Sequence, residues 1–388
     1  MIHWIRLAIL LGTIGLLAGC QTVGGWFGGP EPEDAPADLI EFTPTLEVRE
    51  IWSTNTGKGV TRSRQNFRPV YSNGEIWVGD AEGRISVIDA DSGDVLRRID
   101  TELELSAGPS VYGSRVLVGS FDGTVTALNR ETGNRLWTAE LSSEVLSYPV
   151  LHDGIVIARS LDGRTFGFDA NDGRREWIQD KSVPLLTLRG QSDPLPRAGQ
   201  VFIGHDNGQV TGIRVSDGQV QWEARVSEGE GRTELDRMAD VDGPMAIVGT
   251  DLYVATFHGR VASLAIEAGR LLWVRDIASS AGLSLQRTDI AVTDRDNTVH
   301  VIDRRNGSTI WTDDRLVNRG LSRPVFFGSY VVVADAEGYL HWYDRDSGEF
   351  AARARTTRSA PAAAPLVIGD TLYLLDVDGT LSAWRTDE

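Results

Sequence analysis

A unit of about 40 residues that recurs eight times, a turn glycine near the middle of almost every copy, and a tryptophan near the end of most copies together predict an all-β fold. Four short strands fit in each unit, so the expected architecture is an eight-bladed β-propeller of four-stranded antiparallel blades. The turn glycines are Gly83, Gly123, Gly163, Gly208, Gly259, Gly338 and Gly379, with Asn297 in the remaining copy. The tryptophans are Trp137, Trp177, Trp222, Trp273 and Trp311, while Arg97 and Ala352 occupy the matching place in two other copies.

One copy shows how each element is read. Residues 155–159 are an apolar, β-branched run, Asp162-Gly163 reads as a two-residue hairpin, and residues 164–168 resume a strand. Asp169 and Gly173 then frame the turn into the strand bearing Trp177, the glycine accepting a left-handed backbone and the aspartate capping the turn. A short strand beginning near Pro149 completes the four. The last copy runs out at residues 384–388 with no fourth strand of its own, whereas residues 46–53 have strand character and place Trp52 at the recurring position. The N-terminal strand is therefore expected to complete the C-terminal blade and close the ring, removing two unpaired edges. The tryptophans read as packing between blades.

Ahead of the repeats, residues 7–17 form an eleven-residue apolar run after an arginine, and Leu17-Ala18-Gly19-Cys20 follows. The run is too short to span a bilayer and reads as a signal peptide, residues 1–19. Its ending resembles the lipobox of bacterial lipoproteins, which implies a lipidated Cys20 as the first mature residue, and Cys20 is the only cysteine. Three acyl chains at about 0.8 kcal/mol per buried CH₂ anchor a chain stably. Gln21 at the next position, by resemblance to sorting rules, implies the outer membrane, with the body on the periplasmic side. Residues 20–44, rich in Gly, Pro and acids, read as a flexible tether with a root-mean-square span of roughly 25–30 Å. Residues 45–388 form the propeller.

Composition removes several kinds of function. With 38 Lys and Arg against 55 Asp and Glu, a net charge of -17 and a pI near 4.8, the chain lacks the basic stripe a nucleic-acid binder needs. One cysteine excludes an internal disulfide and a thiolate zinc cage. His152, His205, His258, His300 and His341 are scattered about one to a blade with no His-Glu-x-x-His, and His300 and His341 fall at equivalent repeat positions. No nucleophile elbow or phosphate loop is present, and Asp-rich turns such as residues 303–307 lack calcium-loop order. The expectation is a protein that is not an enzyme and holds neither metal nor cofactor.

The aligned Asp-Gly, Asp-x-x-Ser/Thr-Gly and Trp positions resemble the pyrroloquinoline-quinone (PQQ) type of propeller repeat. Residues 183–190 (Val-Pro-Leu-Leu-Thr-Leu-Arg-Gly), residues 234–242 (Glu-Leu-Asp-Arg-Met-Ala-Asp-Val-Asp) and residues 337–342 (Glu-Gly-Tyr-Leu-His-Trp) are similar to segments of one branch of it. That branch is the BamB family, non-catalytic lipoproteins of the outer-membrane β-barrel assembly (BAM) machinery. The resemblance implies docking on the periplasmic POTRA domains of the BamA-type barrel-inserting subunit, and help in folding and inserting outer-membrane proteins, with unfolded forms of those proteins as further partners. The alternative branch, a small PQQ-dependent dehydrogenase, lacks the adjacent cysteine pair many such enzymes use. A periplasmic propeller binding another ligand in its central channel is a third reading.

Recognition is sought where the repeat is broken, because propeller turns stay short unless something is grafted on them. From Trp177 to Gly208 and from Trp222 to Gly259 the spacing is about five and eleven residues longer than from Trp137 to Gly163. Leu186, Leu188 and Arg189 fall in the first of these stretches and Asp240 and Asp242 in the second. Equivalent connectors open on one rim, so the two groups are expected to be neighbours. The BamB resemblance implies that these five residues contact the partner, leucines as an apolar anchor and Arg189 through charge-assisted hydrogen bonds. The residues themselves also allow a second reading, in which the leucines belong to the core and Arg189 pairs internally with Asp240 or Asp242.

Overall fold

The computed structural model describes residues 35–387 apart from 63–64, 182, 184–191, 229–238, 242 and 258. Among them the chain forms eight four-stranded antiparallel sheets and no helix. Seven blades are consecutive in sequence, as in blade three, where Val150–His152, Ile155–Arg159, Thr165–Asp169 and Arg175–Gln179 pair in order. Blade eight joins the two ends of the chain. Its first three strands are Leu366–Ile368, Thr371–Leu375 and Thr380–Asp387, and its fourth is Glu47–Asn55, paired from Glu47 opposite Asp387 to Asn55 opposite Thr380. The molecule is thus an eight-bladed β-propeller closed by its N-terminal strand.

The apolar cores lie between blades. One cluster joins Leu117, Ala127 and Trp137 of blade two to Phe166 and Phe168 of blade three, and another joins Trp52 and Tyr373 to Ile76 and Ile88 across the closure. The recurring tryptophan fastens five of the junctions in the same way. Trp137, Trp177, Trp222, Trp273 and Trp311 donate from Nε1 to the carbonyls of Ala170, Val215, Ile266, Arg304 and Arg345 in the following blade, at 2.7–3.0 Å. In blade one, Arg97 replaces the indole and donates to the Arg130 carbonyl at 3.4 Å, while its guanidinium lies 4.9 Å from the Trp77 ring.

Under each indole sits the glycine of the next blade's third turn. At Gly218 the backbone is left-handed, φ +72°, and an added Cβ would lie 2.7 Å from Trp177. Gly218→Ala is therefore expected to cost roughly 2–5 kcal/mol, from the left-handed penalty and the overpacking together. Gly154→Ala has a similar φ of +79° and nothing within 4 Å, so it should cost only about 1–2 kcal/mol. Equal losses of stability in denaturant titrations would show that the tryptophan contact does not limit the turn.

The hairpin at Asp162-Gly163 is longer than the sequence pattern predicts. The strands end at Arg159 and resume at Thr165, with the Gly163 N–H bonded to the Ser160 carbonyl at 3.1 Å. Only Gly163 takes a positive φ, +91°, whereas a two-residue type I′ turn needs two such residues and Asp162 is not one.

Residues 35–44, which composition assigns to the tether, lie against the body. The Phe42 ring stacks on Phe350 at 5.4 Å, and Arg319 and Arg353 donate to the carbonyls of Ala37 and Ile40 at 2.8 and 3.0 Å.

Candidate functional site

The antiparallel order of strands divides the loops between two faces of the disc. Hairpins between second and third strands share one face with the connectors that lead from a fourth strand to the next blade's first. The two longest connectors span residues 180–194 and 226–245; the others run from residues 101–104, the shortest, to residues 56–69, one residue shorter than the first of the two. Leu186, Leu188 and Arg189 belong to the first and Asp242 to the second, and all four lie outside the described residues.

The roots of both connectors are described, and they meet on the hairpin of blade four. An added Cβ at Gly204 would lie 2.5 Å from Val241 and 2.8 Å from Ser192, so the two segments pack together on the side of the backbone that a side chain would occupy. Val241 donates its N–H to the His205 carbonyl at 3.1 Å, and Val226 donates to the Gly208 carbonyl at 2.9 Å. On the other flank Arg159, buried at the end of its strand, donates from Nη1 to the Ser192 carbonyl at 2.8 Å. Asp240 is fully buried, and its carbonyl accepts the Phe257 N–H at 2.9 Å. The resemblance implies a partner contact at Asp240, and its side chain has no exposed surface in the chain by itself.

The chemistry of this hairpin is set by burial. His205 titrates well below its ordinary value because burial disfavours the imidazolium and the Arg159 and Lys181 charges add to that. Its Nε2 lies 2.8 Å from the Thr211 hydroxyl. Burial pushes the neighbouring Asp206 carboxyl up, partly offset by Arg159.

Sequence reasoning missed a second set of polar residues, at the hub. Arg68, Tyr148, Asp193 and Arg323 each directly precede a proline near the start of a blade's first strand, Pro69, Pro149, Pro194 and Pro324. The repeat carried the signal, because first strands surround the axis of a propeller and the residue before the recurring proline is placed alike in each blade. Arg68 Nη1 lies 2.6 Å from Asp193 Oδ2, with its guanidinium 3.6 Å from the centre of the Tyr148 ring. Asp193 Oδ1 accepts the Tyr148 N–H at 2.7 Å, and burial pushes the Tyr148 hydroxyl up to about 12. Among the described residues no group of three or more His, Cys, Asp and Glu side chains is placed to hold a metal ion.

Comparison with known proteins gives this geometry a family. Residues 81–313 match the family model described as outer membrane protein assembly factor BamB. The protein of that name from Alkalilimnicola ehrlichii is 46% identical over 383 residues, covering 99% of this chain and 97% of its own. The crystal structure of BamB from Moraxella catarrhalis superposes with a TM-score of 0.79 at 26% identity, over 87% of this chain and 100% of that one. A quinohemoprotein alcohol dehydrogenase from Comamonas testosteroni gives a TM-score of 0.69 at 14% identity, over 87% of this chain and 76% of that one, a likeness of fold alone. The repeats, the closed eight-bladed ring and these matches place the chain in the BamB family of outer membrane protein assembly factors.

Proposed function

We propose that the chain is a non-catalytic scaffold of outer-membrane protein assembly. Lipid on Cys20 holds it to the periplasmic side of the outer membrane. Its connector face docks on the POTRA domains of the barrel-inserting subunit, and it assists the folding and insertion of β-barrel proteins there. Leu186, Leu188, Arg189 and Asp242 make the contact, and Asp240 supports it from beneath. The observation that carries this reading is the meeting of Ser192 and Val241 on Gly204, which brings the roots of the two longest connectors onto one hairpin. Two long connectors rooted together bring apolar and charged residues of both to one interface.

Capture of the chain by an immobilised POTRA fragment tests the proposal. Replacing Leu188 by Ala and Arg189 by Glu together should weaken capture by at least about a hundredfold, the loss of two central contacts. Circular dichroism and the unfolding midpoint should stay at wild-type values, because loop tips contribute little to a propeller's stability. Unchanged capture by a folded double variant would remove the site from this face.

A further inference from the structure

The hub holds an open-mouthed cavity of about 720 Å³, well within the range of small-molecule sites. Its charges do not cancel. Going round the ring, the residues that share one register position in the eight blades are Arg68, Gly108, Tyr148, Asp193, Pro244, Gly282, Arg323 and Ala364. Arg68 and Asp193 neutralise each other at 2.6 Å. Arg323 has no carboxylate within ion-pair distance among the described residues, and its Nη1 donates to the neutral Ser284 hydroxyl at 2.7 Å. That hydroxyl donates onward to the Pro324 carbonyl at 2.5 Å, so it offers Arg323 a lone pair and no charge.

A cation left over in this place is unusual on two counts. The chain as a whole carries -17, so a positive hub runs against its overall field. The surrounding wall is also apolar over rather more than half of its surface, with Pro194, Leu195, Pro244, Met245, Leu321 and Ala364 beside its polar groups. Burial, reinforced by the Arg68 charge and partly offset by Asp193, pulls the Arg323 guanidinium down to about 10, which leaves it protonated at neutral pH. Arg323 is partly buried, and a partly buried charge without a counter-charge at contact distance costs stability that a ligand anion offsets.

We propose that the hub cavity binds a small organic monocarboxylate, with Arg323 receiving the carboxylate and the proline- and alanine-lined wall receiving the apolar body. The guanidinium presents paired N–H groups of which one is engaged by Ser284, leaving others for the ligand. Asp193 keeps Arg68 from competing, so a single negative charge is matched. This binding is independent of docking on the connector face.

The experiment is isothermal titration of the chain with 3-phenylpropionate, its neutral amide and inorganic phosphate in a chloride-free buffer. Saturable binding of the carboxylate is expected, at least about tenfold tighter than the amide, as for a site whose polar group is met by a matching charge. Arg323→Gln should lose at least about tenfold in affinity with an unfolding temperature equal to or above wild type, because it removes an unpaired charge. Asp193→Asn should bind the carboxylate more tightly, since it frees Arg68 and adds a positive charge to the hub; this arm stands whether or not Arg323→Gln folds. Three results would overturn the proposal: no saturable binding of the carboxylate, equal binding of acid and amide, or Asp193→Asn binding more weakly than wild type. Binding of phosphate in place of phenylpropionate would do the same, since it marks an inorganic anion site.

Discussion

A chain that begins at residue 57 is expected to lose the cooperative fold altogether, while one that begins at residue 35 keeps it. The difference between them includes Glu47–Asn55, the strand that makes blade eight whole. Its removal strips the ladder from Thr380–Asp387 and leaves that strand as an open edge. It also takes away Trp52, whose ring presses on Gly93 of blade one and lies 5.8 Å from Tyr373. Thr54 Oγ1, which donates to the Gly93 carbonyl at 2.6 Å, goes with it. In a ring every blade is packed on both sides, so one missing strand opens the wheel and exposes two apolar faces. The lost burial and ladder together exceed the roughly 5–15 kcal/mol that a folded domain has to spare. Size-exclusion chromatography and denaturant unfolding decide the matter. The shorter chain should be aggregated or unfold without cooperativity, and addition of a peptide spanning residues 45–57 should recover folded monomer. A monomeric short chain with the wild-type midpoint would mean the ring does not depend on its clasp.

Closure was legible in the sequence because it leaves a countable mark: the last repeat lacks a fourth strand, and Trp52 matches the position of Trp137 or Trp177. The blade count was legible for the same reason. What repeats reveal is whatever is dictated locally, such as the turn glycine and the capping aspartate. The docked segment at residues 35–44 was hidden because its holding groups, Arg319, Phe350 and Arg353, stand about three hundred positions away. A short stretch with a proline near each end gives no local sign that two distant guanidinium groups donate to its carbonyls. The bulge between third and fourth strands was hidden too. In blade three Gly167 pairs with Trp177 but Phe168 pairs with Arg175, so one residue is left over beside the tryptophan. Alternation alone cannot place that extra residue, since it alters register without altering composition.

The candidate site divides in the same way. Connector lengths are visible in the spacing of Trp177, Gly208, Trp222 and Gly259, and from them follows which face is elaborated. The burial of Asp240 is not visible, because it depends on how the chain returns to Gly204 and Phe257. The hub charges were legible only in part. Each is printed beside a proline, but that Asp193 cancels Arg68 and leaves Arg323 over is a property of the ring.

Asp335→Ala is expected to cost about 3–5 kcal/mol, the largest loss for a single substitution away from the clasp. The carboxylate is fully buried, and each of its oxygens accepts two hydrogen bonds. Oδ1 takes the N–H groups of Glu337 and Tyr339 at 3.0 and 2.9 Å, which shape the hairpin. Oδ2 lies 2.8 Å from Arg319 Nε and 3.0 Å from His341 Nε2. Arg353 Nε donates to His341 Nδ1 at 3.2 Å, so the ring serves Asp335 as a neutral donor, and burial lowers its affinity for a second proton. Without the carboxylate, Arg319, only 3% exposed, keeps a single partly exposed acid, Glu337, at 2.5 Å. Its hold on Ala37 would slacken, and residues 35–44 would come away from blade seven. Blade six supplies the control. Asp294 makes the same hairpin bonds to Asp296 and Thr298 and the same contact to a histidine, His300 at 2.8 Å, but its side chain is 18% exposed. No arginine ion pair joins that aspartate among the described residues, so Asp294→Ala should cost only about 1–2 kcal/mol. Chemical denaturation of the two variants measures the gap, and limited proteolysis reads the release of residues 35–44 in the first alone. Equal losses would mean that the hairpin bonds shared by both aspartates set the cost, and that the buried Arg319–Asp335 pair adds nothing to them.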